Sequence, residues 1–151
     1  MTATAREQQR EAAMYLSRYR TAQAEARDIE RRIERVRTEM MGVKGISYEG
    51  GDMPKSPSVT GDLSDYMVRI DDLIHEWQTA QIKAIDTMRE ISQVINSVSN
   101  DQARRVLMLY YVDGNKYPEI QKIIPCGNNA CFKWRRIGLM EVYKIKMGSH
   151  E

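Results

Sequence analysis

The chain has few of the residues that most chemistry needs. Only two cysteines, Cys126 and Cys131, and two histidines, His75 and His150, occur in 151 residues. That excludes a disulfide framework, and a link between cysteines five apart would do little in a reducing compartment. Zinc takes four ligands, or three and a water, which this set does not supply, so no metal is expected. Cys131 reads as a small buried residue and Cys126 as a turn residue. No apolar run approaches the roughly 18 residues of a membrane span. The first residues, MTATAREQQREAAM, have no apolar core and are not a secretory signal. A cytoplasmic protein without a membrane segment is the expectation. No Ser-His-Asp or Cys-His set can be assembled. His75 and Glu76 are helical neighbours and point about 100° apart. Gly50-Gly51-Asp52 lacks the Lys and Ser/Thr of a phosphate loop. No catalytic residue, no cofactor and no enzymatic activity is expected.

What is present is a helical pattern with uneven charge. Hydrophobic residues make up 42% and charged residues 29%, the balance of a globular chain rather than a disordered one. The net charge of +2 is not evenly spread: residues 1–45 carry +3, residues 46–99 carry −5 and residues 100–151 carry +4. A basic end on an acidic support is the asymmetry of a nucleic-acid reader on a scaffold. Its size predicts weak binding by one copy and tight binding only with a dimer or a partner.

Residues 1–10 are polar and are expected to fray. A helix then runs to about Met41. Tyr15, Tyr19, Ala22, Ala26, Ile29, Ile33, Val36 and Met40 recur in alternating steps of four and three, a heptad seam for coiled-coil packing. Arg31, Arg32, Arg35 and Arg37 flank it as a solvated face. Glycines and prolines break the pattern across 42–61, a loop connection. Asp62, with Asp65 three residues later, is expected to cap a second long helix. Its seam is Leu63, Met67, Ile70, Ile74, Trp77, Gln81, Ala84, Met88, Ile91, Ile95 and Val98. A second stripe, Tyr66, Leu73, Ala80 and Val94, with Ile85 across the seam, widens the apolar face beyond what one helix covers. The remainder must pack on the C-terminal module or on a second copy. Residues 1–99 therefore read as a long antiparallel helical hairpin, with a homodimer through it as one way to cover the excess.

Residues 100–147 form the other domain, with 148–151 as a tail. Asp101 to Val112 is helical, and Asp113-Gly114-Asn115 is a turn, since Gly and Asn tolerate positive φ. Pro118 suits the first helical position. Ile120, Ile123 and Ile124 share a face, and Pro125 stops that helix. The next runs from Asn128 to about Lys146, with Cys131, Trp134, Gly138 or Leu139, and Val142 inward. Two helices joined so tightly are a helix-turn-helix, whose second helix enters a DNA major groove. The residues left outside are Asn128, Asn129, Phe132, Lys133, Arg135 and Arg136. Asn bonds adenine edges, Arg bonds guanine, and Lys and Arg neutralise phosphate. Asn128, Asn129, Lys133 and Arg136 are expected to face bases, with Phe132 against a thymine methyl. Arg135, Lys116 and Lys122 are expected to hold phosphates. The bland alternative is a three-helix packing unit with a basic solvated face.

These residues also carry a resemblance. Arg104, Val106, Leu107 and Leu109, then Tyr111 and Gly114, then Tyr117, Glu119 and Ile120, and finally Leu139 and Val142, follow the outline of region 4 of bacterial sigma factors. Asp101 to Ile145 is more similar still to phage and prophage regulators of the RinA and ArpU type and to related phage proteins, some of which share the Met53-Pro54-x-x-Pro57 segment. Three positions depart from the pattern. Gln121 stands where the family has Ala, Ile124-Pro125-Cys126-Gly127 replaces a Leu-Gly-x-Ser turn, and Gly127 replaces a capping Ser or Thr. The last change costs only a few tenths of a kcal/mol, so the departures leave the base preference open rather than the fold. The resemblance implies a phage-encoded transcription regulator in the host cytoplasm, with double-stranded DNA and host RNA polymerase as partners. Two alternatives keep the same fold. One is a small-terminase-like subunit that recognises DNA for packaging. The other is a decoy that occupies polymerase or another host factor without touching DNA.

Overall fold

The structure is a computed structural model that describes residues 3–49 and 57–148, with the side chains of residues 43–49, 57–62 and 128 outside that description. The described residues are all-α, with no strand among them. Contacts group the chain into two compact units, residues 1–22 with 84–151, and residues 23–83. The expected domain boundary at 99 falls inside the first unit.

In the first unit, helix α1 spans Ala5–Leu16. It begins where fraying was expected. The Glu7 N–H donates to Thr4 Oγ1 and the Thr4 N–H donates to Glu7 Oε2, each at 3.2 Å. This reciprocal box satisfies two donors that a helix start leaves free. The signal, Thr4-x-x-Glu7, is in the sequence. Helix α2, Arg18–Glu49, follows after Ser17 alone. The expected single helix is therefore two. Ser17 Oγ donates back to the Ala13 carbonyl at 2.7 Å, a competing bond that bends helices. Ala12 and Leu16 are fully buried, while Tyr15 and Tyr19 sit half-buried at the edge of the core.

Helix α3 spans Pro57–Asn96, and its last turns bury Ile91, Val94 and Ile95 in this unit. Val98, just past the helix, is buried with them. Asn100 caps α4, Asp101–Leu107, accepting from the Ala103 N–H at 2.9 Å. Where an α-helix through Val112 was expected, the chain widens into a π-helical turn, Met108–Val112, in which the Asp113 N–H donates to the Met108 carbonyl at 3.0 Å. Gly114 then takes φ +77°, as the turn required, and the Asn115 N–H reaches back to the Leu109 carbonyl at 2.9 Å. Helices α5, Tyr117–Ile123, and α6, Asn128–Lys146, complete the unit. Helix α6 packs against both α1 and α4. The shared core is Leu16, Ile91, Ile95, Leu107, Tyr111, Leu139 and Val142.

In the second unit, α2 and α3 run side by side in opposite directions. Glu25 pairs with Lys83 at 3.4 Å, Ile33 shares a groove with Ile74 and Trp77, and Val36 shares another with Asp72 and Leu73. Ala26, Ile33 and Val36 are buried as the heptad predicted, whereas the seam residue Met67 is 62% exposed. The described parts of the expected loop 42–61 are helical instead. Helix α2 continues through Gly42 to Glu49 and α3 starts at Pro57. An interior glycine costs about 1 kcal/mol against alanine, too little to end a helix of 32 residues. Pro57 occupies a first helical position, where its missing N–H is no loss. Asp62, expected to cap α3, lies inside it. Gly50-Gly51-Asp52, Met53 and Pro54 lie outside the described residues. No helix among the described residues is long and apolar enough to cross a membrane.

Candidate nucleic-acid interface

The candidate site is built by α5, residues 124–127 and α6. Helix α5 starts at Tyr117 after Lys116, which places Pro118 one residue further in than expected. The N–H missing there is still one that a first turn leaves free. Ile124 leaves the helical region at φ −111°, ψ 102°, as a residue before proline does. That departure lets Ile120 and Ile124 enter the core with Val106 and Cys131. Ile123, expected beside them, is 46% exposed instead. Gly127 caps α6 with no side-chain bond. Behind it Cys131, Leu139 and Val142 are buried and Trp134 is half-buried.

The sequence-predicted residues separate into two groups. Asn129, Phe132, Lys133 and Arg136 of α6 are all exposed, and so are Lys116 and Lys122 at the two ends of α5. Asn128 is the first residue of α6, and its side chain lies outside the described set. The Phe132 ring lies 4.7 Å from that of Tyr117, which lies 5.0 Å from Tyr110. Lys133 Nζ stands 5.6 Å from the Trp134 ring.

Arg135, expected on phosphates, is turned inward. Its Nη2 donates to the Tyr111 hydroxyl at 2.9 Å, its guanidinium lies 5.7 Å from the Tyr110 ring centre, and its Nε is buried without a partner. On the same Tyr110 ring, 4.3 Å from its centre, lies Arg20, which also donates to the Tyr110 carbonyl. Two guanidiniums on tyrosine faces are cation–π contacts. This cluster was not foreseen. The Tyr110-Tyr111 pair is visible in the sequence, but nothing there assigns it Arg20, 90 residues away.

Burial tunes the titratable groups of this unit. It pushes the Tyr111 phenol up despite the Arg135 charge beside it, and it pushes Tyr117 up to about 12. The Cys131 thiol is raised to about 11 by burial and by Cys126, whose sulfur lies 2.6 Å away. Burial also acts to raise the Glu141 carboxyl, but bonds from Ser99 and Asn100 and the Lys144 charge bring it below its ordinary value. The Ser99 N–H donates to Glu141 Oε1 at 2.8 Å. Among the described residues no three His, Cys, Asp or Glu are grouped as a metal site.

The surface formed by Asn129, Phe132, Lys133 and Arg136 thus offers amide, ammonium and guanidinium donors and one apolar ring on a helix whose other face is locked into the core. Comparison with protein-family models, curated proteins and solved structures finds no match.

Proposed function

We propose that this chain is a DNA-binding transcription regulator that uses α5 and α6 as a helix-turn-helix. In this reading α6 lies in the major groove of double-stranded DNA. Asn128, Asn129, Lys133 and Arg136 face bases and Phe132 meets a thymine methyl, while Lys116 and Lys122 hold phosphates. The observation that carries it is the exposure of Asn129, Phe132, Lys133 and Arg136 on a helix that also buries Cys131, Leu139 and Val142. Such a helix presents reading residues from a fixed backbone, which base recognition demands.

The resemblance to sigma region 4 and to phage late-gene regulators supports the rest of the proposal: a phage-encoded protein of the host cytoplasm, contacting host RNA polymerase and carrying out no catalysis. A homodimer through the long helices fits Met67, Val68 and Ile82, which α3 leaves exposed in the second unit.

The test is binding of the full chain to fragments of its source genome across a salt series. One preferred fragment, with affinity falling steeply as salt rises, is expected of a protein that displaces counterions from phosphates. Lys133→Ala with Arg136→Ala is expected to abolish that complex at unchanged helicity. Wild-type affinity in the double variant would overturn the assignment of α6.

A further inference from the structure

We propose that Cys126 and Cys131 are a thiol–disulfide modification site, joined within one chain when the protein meets an oxidised low-molecular-weight disulfide. Both cysteines are free thiols in the structure, and their sulfurs lie directly against one another, as a disulfide between them requires. The two are unequally placed. Cys126 is partly exposed in the turn, and Cys131 is fully buried in the first turns of α6, against Val106, Ile120 and Ile124.

That inequality sets the order of reaction. The Cys126 thiolate attacks one sulfur of the small disulfide and expels the other half as a thiolate. Cys131 then gives its proton to solvent, attacks the Cys126 sulfur and expels the second half. Two protein thiols are oxidised to one disulfide, and the small disulfide is reduced to two thiols. Only the exposed cysteine has to be reached from outside. The buried one closes the link without leaving its place.

The location gives the link a structural effect. It closes a ring across Gly127, where α6 begins with no side-chain cap. A covalent tie there fixes the start of α6 against the turn that follows α5.

The experiment is equilibration of the full chain in glutathione buffers of increasing oxidised fraction, followed by an acid quench, alkylation in denaturant and digestion with trypsin. Both cysteines lie in the peptide 123–133. The expected result is that this peptide loses two hydrogens and takes up no alkylating agent once the buffer is oxidising, while the protein keeps its molecular mass as a single chain. Reductant is expected to restore two alkylated cysteines. The burial of Cys131, which holds its thiol at about 11, predicts faster closure as pH rises. In Cys126→Ser the remaining cysteine is expected to form no link within the chain. Two alkylatable thiols at every buffer ratio, or only glutathione adducts and links between chains, would overturn the proposal.

Discussion

A methyl group on Gly138 would lie 2.6 Å from Cδ1 of Leu107 and 2.9 Å from its Cγ. The glycine is what lets α6 approach α4 so closely. Leu107 is fully buried, so it has little room to move aside. In an open helix, Gly→Ala gains about 1 kcal/mol. Here Gly138→Ala is expected to lose about 1–3 kcal/mol, the usual range for overpacking a core. Urea unfolding of the two proteins decides the sign. A more stable Gly138→Ala protein would show that the contact between α4 and α6 is looser than the structure has it.

Arg20 gives the Tyr110 carbonyl its hydrogen bond. That carbonyl lies in the last turn before the Gly114 bend, where a helix end leaves acceptors without internal partners. Arg20→Met keeps the length and apolar stem and removes the donor. It is expected to cost about 1 kcal/mol, as a part-buried acceptor loses its partner. Thermal unfolding checks this, and a Tm equal to wild type would mean that water serves the carbonyl equally well.

Glu141 makes stability depend on acid. Its carboxyl lies below the ordinary value when folded, so the folded state favours the ionised form. The contribution is fully present above the unfolded value of about 4.3 and is lost as pH falls through the lower folded value. Glu141→Gln is expected to be less stable at neutral pH by about 1 kcal/mol, the net scale of one intramolecular hydrogen bond. The gap should close as pH falls through that lower value. A gap that stays constant with pH would mean that the carboxylate charge contributes nothing.

Arg135 and Lys133 stand two residues apart on α6 and are expected to fail differently. Arg135→Ala removes the bond to Tyr111 and a contact with Tyr110, so it should lower stability by about 1–3 kcal/mol. Lys133→Ala removes an exposed ammonium and should leave stability within about 0.5 kcal/mol of wild type. In the proposed reading its loss appears as weaker DNA binding and a shallower salt dependence. Equal stability of the two variants would dissolve the distinction.

The sequence was most informative where local rules act alone. The bounds of α6, the positive φ at Gly114 and the stop before Pro125 each follow from one or two residues. The inward positions Ala84, Ile91, Ile95 and Val98 follow from the heptad period. It was less informative where a tertiary partner overrides the local preference. Gly42 looked like a breaker, yet its cost is small against the helix around it. Ser17 lies off the heptad seam, yet one expected helix divides into two there. Of the candidate site, Asn129, Phe132, Lys133 and Arg136 lie where periodicity put them. Arg135 does not, because two tyrosine rings from another element take it. No spacing rule reports that kind of competition, and none would have shown that α1 joins the C-terminal helices.

Helix α1 packs against α6, and nearly the whole chain lies between them. During synthesis, α1 is made long before α6, so part of the core that covers Ala12 and Leu16 comes late. Closing so long a loop costs entropy before any contact rewards it. The first unit is therefore completed only once α6 has been made, and a nascent chain stalled before residue 128 carries an α1 without that partner. Premature termination anywhere upstream would leave both ends of this unit, and not only the missing one, open to proteolysis.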